Sequence, residues 1–286
     1  MAEARCPASC GELIQGWIAG GEKLISCPID WYSEVEVREG DAAGDERQLS
    51  RRMLNQVIKH FGYRANDLPP LRIECRSTIP IAKGLASSTA DIAATAVATA
   101  RLLRQSLDEA TLARLCLQIE PTDSTIFRAL TLFDHRHGEC CISCHWQPSL
   151  DILILESAQT LTTADFHRRV GLSHLQRQAH QLDKSWRQFQ LASRSQSLRR
   201  LGEAAMLSAC ASNQYLPKPA FDGLRRVVEQ QDLYGINVAH SGTVVGLLFD
   251  HRQHDPQQLL ARLDTAGILL HYPHQHVTHL VAGGVS

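Results

Sequence analysis

A chain of 286 residues with 44% hydrophobic side chains can bury one large core or two modest ones, which sets it apart from disordered and fibrous proteins. Its formal net charge of -1 at pH 7 gives no electrostatic reason to expect nucleic acid or an anionic membrane as partner. No apolar run approaches the ~20 residues that span a bilayer, and Met1 to Cys10 lacks the apolar stretch of an export signal, so a cytoplasmic protein is expected. In that compartment the nine cysteines are expected as free thiols packed like small hydrophobes.

Cys6 to Gly16 opens with a proline, small residues and two glycines before Trp17, which by itself reads as a hairpin. Leu24 to Cys27 and Ser33 to Arg38 alternate as strands, with Val35 and Val37 on one face, and Asp41 to Asp45 is a turn. Met53, Leu54, Val57, Ile58 and Phe61 recur at helical spacing, so Ser50 to Phe61 is predicted to be a helix with one buried face. Leu71, Ile73 and Cys75 alternate in the strand that follows.

That strand leads into Ile79 to Leu103. Pro80 cannot donate to a sheet ladder, and Gly84 frees the backbone for a tight turn. Ser87, Ser88 and Thr89 then open a helix made almost wholly of alanine, with Asp91 placed in its first turn, where a carboxylate suits the helix dipole. A loop that ends at a helix N-terminus offers unpaired N–H groups to an anion; the alternative is an ordinary serine-capped helix. A Walker A loop is excluded, because Lys83 precedes its glycine.

Leu112, Leu115, Cys116 and Ile119 form one stripe in a helix from Leu107 to Glu120, with Asp108 as N-cap and Pro121 as stop. In Glu120 to Thr125, EPTDST, two carboxylates lie three positions apart; read alone, this is a helix end followed by an Asp123 N-cap. Cys141 to His145 matches the C-x-x-C-H haem pattern, but no export signal accompanies it and no second pair supports zinc, so CCISCHW is expected to be a strand. His135, His137, His271, His274, His276 and His279 read as surface residues.

Pro148 and Ser149 suggest a boundary, giving domains 1-148 and 149-286. Asp151 to Glu156 is a short buried strand. Thr163 to Ser197 is polar and helix-rich, and Leu198 to Ser212 continues as helix. Pro219 is expected in the first turn of a helix running to Gln231. Tyr234 to Asp250 reads as strand, turn at Ser241-Gly242-Thr243, and strand; Gln257 to Leu263 is a last helix and His276 to Val281 a closing strand.

Pro80 to Ala90, P-I-A-K-G-L-A-S-S-T-A, resembles the P-x-x-x-G-L-x-S-S-x-A motif of the GHMP kinases, the galacto-, homoserine, mevalonate and phosphomevalonate kinase superfamily. CPASCGELIQGW from Cys6, EPTDST from Glu120 and NVAHSGTVVGL from Asn237 accord with it, and within the superfamily the chain resembles the L-threonine kinases of cobalamin biosynthesis. The resemblance implies an α+β GHMP kinase fold, with an N-terminal domain like ribosomal protein S5 domain 2 and a ferredoxin-like C-terminal domain.

It also implies ATP and Mg2+ as cofactors and L-threonine as the small-molecule partner. Pro80, Lys83, Gly84, Leu85, Ala86, Ser87, Ser88 and Thr89 would surround the phosphates, Ser88 and Glu120 would hold the metal, and Asp123 would act as base. Ser9, Glu12, Gln15, His240, Ser241 and Gly242 would lie by the acceptor. The chain departs from the pattern where Ala8 and Ser9 follow Pro7 in place of a basic residue, where Gly242 and Gly246 alone remain of a glycine cluster, and where Glu120 and Asp123 stand closer than usual. Another small alcohol such as homoserine or serine, or a nucleotide-binding sensor without catalysis, are the alternatives that these departures leave.

Overall fold

Strand alternation near the N-terminus builds a single long hairpin, β1 (Ala2–Ile18) and β2 (Gly21–Glu39), in the computed structural model, which describes residues 1–161, 171–240 and 242–286. The two short strands expected at Leu24 to Cys27 and Ser33 to Arg38 are parts of β2. Pro28 does not break β2 because it faces Ser9, where β1 shifts register, and a bulge tolerates the missing N–H.

Seven further strands complete a nine-stranded sheet: β3 (Leu71–Ser77), β4 (Leu130–Phe133), β5 (Cys141–Cys144), β6 (Asp151–Glu156), β7 (Gly235–Val238), β8 (Val245–Phe249) and β9 (His274–His279). The order is β5-β4-β2-β1-β7-β8-β6-β9, with β3 also paired to β2, and the pairings are antiparallel. Between β1 and β7 the ladder is one residue pair, Glu12 opposite Val238. The segment read as a domain boundary connects β5 to β6.

Helix α1 (Gln48–His60) buries Met53, Leu54 and Val57 as its spacing requires. It packs on α2 (Ser87–Leu102), which lies against β1 and β2 and is buried along almost its whole length. Alanines allow this close approach on several sides. The buried hydroxyls of Thr95 and Thr99 donate to the carbonyls of Asp91 and Thr95, each at 2.7 Å, so neither hydroxyl is left open inside. Helix α3 (Glu109–Leu117) is capped by Asp108, whose carboxylate accepts the Thr111 N–H at 2.7 Å.

Among the described residues the other helices are α4 (Leu172–Arg177), α5 (Ala179–Ser195), α6 (Leu198–Asn213), α7 (Phe221–Gln230) and α8 (Pro256–Thr265). The first part of the polar stretch from Thr163 lies outside the described residues. Helix α6 rests on β7 backbone to backbone: a Cβ on Gly202 would meet the Tyr234 carbonyl, and one on Gly235 would meet that of Gly202. No helix among the described residues is long and apolar enough to cross a membrane.

Three local expectations are corrected. Asp91 lies beyond the first turn of α2, is buried, and pairs with Arg47 while accepting the Ser33 hydroxyl at 2.5 Å, so it serves a buried ion pair rather than the helix dipole. His135 is buried, 3.6 Å from Glu22, because its backbone is drawn in by the Thr122 N–H, which donates to the His135 carbonyl at 2.9 Å. Pro219 precedes α7, whose N-cap is Ala220 in the left-handed conformation. The cysteines of β5 are free thiols, and among the described residues none belongs to a group spaced to hold a metal.

Candidate active site

The loop before α2 alternates its backbone hand, with Ala82, Gly84 and Ala86 at φ of 59°, 84° and 58°. Gly84 is required twice over: its φ favours glycine, and a Cβ would collide with that of Ala239. Ala86 leads into α2 with no side-chain cap, so the serine-capped alternative is set aside and the first-turn amides face outward. The hydroxyls of that turn go elsewhere. Ser88 donates to Glu120 Oε1 in a short contact, and Thr89 donates to Asp123 Oδ2 at 3.0 Å while accepting the Asp123 N–H at 3.2 Å.

Asp123 does precede a short 3-10 turn, Ser124–Ile126, yet its carboxyl makes no cap bond there and turns to Thr89 instead. Both carboxylates of the EPTDST stretch are thus docked by consecutive hydroxyls at one helix end.

These groups enclose a cavity of about 230 Å³ with Glu12, Ala82, Gly84 and Leu161. Sites that enclose whole ligands run to ~300–1,000 Å³, so this space suits the reacting ends of two substrates. Among the described residues its lining carries three carboxylates, Glu12, Glu120 and Asp123, and no lysine, arginine or histidine. Burial, then the charge of Glu12, push Asp123 up to about 7, with the Thr89 bond opposing and Glu120 adding to the rise. Burial also raises Glu120, against the Ser88 bond and Arg52. A hydroxyl and a carboxylate side by side are hard oxygen donors of the kind Mg2+ takes, so Ser88 and Glu120 fit that ion.

The remaining expected site residues stand behind this wall. Lys83 does not reach the cavity: its ammonium donates to the carbonyls of Ser157 (2.6 Å) and Gln159 (3.0 Å) and lies 3.3 Å from Glu156. With its protons so used it anchors the loop instead of meeting phosphate. Ser9 is likewise committed, donating to the Gly11 carbonyl and accepting the Cys27 N–H at 2.9 Å.

Pro80 and Gln15 do not border the cavity, and Gln15 Oε1 is buried without a partner. Leu85 lines it while its carbonyl accepts the Ser9 N–H at 3.1 Å. Gly242 packs its backbone on Gly84, and His240 holds Glu12. Ser241 lies outside the described residues.

The model of the GHMP kinases N terminal domain matches residues 48–128, which include the loop, α2 and both docked carboxylates. An L-threonine kinase of Citrobacter freundii is 56% identical over 285 residues, covering 100% of this chain and 99% of the relative. A second, of Salmonella typhimurium, is 53% identical, covering 100% and 95%. This chain belongs to the L-threonine kinase family.

Its fold is that of the GHMP kinases. A mevalonate kinase structure matches with a TM-score of 0.74 at 14% identity, covering 99% of this chain and 100% of that one. A complex of MDDEF with MVAPP, AMPPCP and magnesium matches at 0.68 and 18%, covering 100% and 98%.

One residue of this L-threonine kinase family member escaped the motif reading. Lys218, buried, donates to the carbonyls of Ala239 (2.7 Å) and Gly242 (2.6 Å), fixing the turn between β7 and β8. The Thr243 N–H of that turn in turn donates to the Lys83 carbonyl at 2.9 Å. Burial lowers Lys218 to about 7, with Glu12 opposing. The signal in the sequence is Pro217-Lys218-Pro219, a charge held between two rigid residues. Ser208, which meets His240 Nε2 at 3.1 Å, left no signal at all.

Proposed function

We propose that the protein transfers the γ-phosphoryl group of ATP to the side-chain hydroxyl of L-threonine, giving O-phospho-L-threonine and ADP for adenosylcobalamin synthesis. The single observation that carries this reading is the pair of docked carboxylates, Glu120 on Ser88 and Asp123 on Thr89, at the uncapped start of α2. Phosphoryl transfer has a loose transition state, so alignment and charge neutralisation are the main tasks of the protein. The amides from Gly84 to Thr89 cradle the phosphates. Ser88 and Glu120 hold Mg2+, which when bound neutralises phosphate charge.

Asp123, with a pKa near neutrality, accepts the hydroxyl proton as the oxygen attacks phosphorus and ADP leaves. Glu12, held by His240, lines the acceptor side. The full-length likeness to L-threonine kinases supports threonine over other alcohols. A cytoplasmic location belongs to the same reading, since the reaction consumes ATP and the nine cysteines are free thiols.

The test is ADP release from purified protein with Mg-ATP and L-threonine, L-serine, L-homoserine or no acceptor. Strong stimulation by threonine is expected. Stimulation by a different alcohol would transfer the reading to that acceptor, and ATP binding without turnover would favour a sensor.

A further inference from the structure

Glu12 is the one cavity carboxylate that phosphoryl transfer leaves without a task. It is 3% exposed, and its Oε2 accepts the His240 backbone N–H at 2.9 Å and faces His240 Nδ1 at 3.1 Å. The imidazole is itself set from behind. The Gln15 N–H donates to Ser208 Oγ at 3.0 Å, which leaves the Ser208 proton for His240 Nε2 and assigns the ring proton to Nδ1, shared by Glu12 Oε2 and the Val238 carbonyl at 3.1 Å. Glu12 Oε1 accepts no hydrogen bond from the described residues, although the residue lines the cavity. Among the described residues no cationic side chain borders the cavity, and the buried ammonium of Lys218, which feels the charge of Glu12, donates to the carbonyls of Ala239 and Gly242 instead.

We propose that Glu12 Oε1 receives the α-ammonium group of the acceptor, making the site selective for amino-acid alcohols over plain alcohols. The proposal rests on the reading of an amino acid as acceptor. A buried carboxylate with an unfilled acceptor position is costly until a donor arrives, and an N–H on a cation is the strongest donor available. A single free oxygen suits one ammonium proton better than a metal ion that needs several oxygens. An acceptor without the ammonium leaves Oε1 bare, and sites built around a substrate N–H reject analogues lacking it far more strongly than apolar pockets reject a missing methylene.

The same contact reaches Asp123. That carboxyl is faced by Glu12 from β1, by Glu120 from the segment after α3 and by the Thr89 hydroxyl from α2. An ammonium on Glu12 offsets the first of these charges and eases ionisation of Asp123. Acceptor binding near pH 7 therefore brings net release of part of a proton from Asp123.

The experiment compares L-threonine with 3-hydroxybutanoate, which lacks the amino group, in wild type and Glu12→Gln. In wild type, kcat/KM is expected to favour threonine by about 100-fold or more. In Glu12→Gln that ratio should shrink at least tenfold, mostly through loss on threonine. Equal loss on both acceptors, or no discrimination by wild type, overturns the proposal.

Calorimetric binding of both compounds to wild type with Mg-AMP-PCP, in two buffers of different ionisation enthalpy, avoids both turnover and variant folding. Threonine should bind more tightly and release part of a proton, whereas 3-hydroxybutanoate should release none. Equal affinity and equal proton release overturn the proposal even in an active kinase; selective binding without ADP release upholds it and condemns the kinase reading alone.

Discussion

Asp123 shows how burial and a neighbouring charge set a working pH against the pull of one hydrogen bond. Asp123 keeps its proton up to about pH 7 because burial and the charge of Glu12 oppose ionisation, so the base form and kcat rise with pH through that value and level off above it. Asp123→Asn should abolish this rise and lower the plateau by about 100-fold or more. A loss near tenfold, ~1.4 kcal/mol, would mean that Asp123 orients the hydroxyl without taking its proton. The folded pKa lies above that of an unfolded aspartate, so stability is lost as pH rises from about 4 to about 7 and stays low above that. Denaturant midpoints should show Asp123→Asn to be the more stable protein at pH 8, with the advantage fading as pH falls towards 4.

Ser88→Ala and Glu120→Gln should each lower kcat by about 100-fold or more and weaken the dependence on Mg2+, with far-UV circular dichroism unchanged. Retention of full activity by either would remove that residue from the mechanism. The motif residues were legible because hydroxyls and carboxylates at fixed spacing carry their chemistry in the chain. Lys83 and Ser9 were misread because long-range carbonyls and amides, at Ser157 and Cys27, claim their polar atoms, and no local pattern announces such partners.

The elements of the site meet through loops. The loop before α2 bonds β1 through Gly11 N–H to the Gly84 carbonyl at 3.1 Å, and the β7–β8 turn through Thr243 to Lys83, with Lys218 stiffening that turn. Lys218→Met should therefore raise KM for ATP about tenfold with a smaller effect on kcat, measured in steady-state kinetics. Its effect on Tm should be slight, because losing two hydrogen bonds is offset by relief of a buried cation. Arginine at the same position, larger and always charged, should not restore the affinity.

Helices α1, α3 and α8 and strands β6, β7 and β8 were legible from periodicity, since each buries one face or lies wholly inside. β2 was not legible as one strand, because its passage through Pro28 depends on the register shift in the facing strand.

Across the whole molecule, the nine-stranded sheet turns on the one residue pair that joins β1 to β7, and that pair includes Glu12. Periodicity could not disclose such a junction, which depends on residues 226 positions apart (238 − 12 = 226) coming together. The GHMP motifs carried the fold where pattern could not, because they mark segments that meet at the loop before α2. Residues 202 and 235 impose another long-range condition, since the α6 and β7 backbones touch there.

An alanine at either position must push the two elements apart, and once they are apart the second alanine meets little. The two substitutions should then be strongly non-additive, a double-mutant cycle returning less than the sum of the single losses. Over generations such a contact behaves as a ratchet: neither glycine is free to drift while the other remains, and a lineage that has lost one is released from keeping its partner.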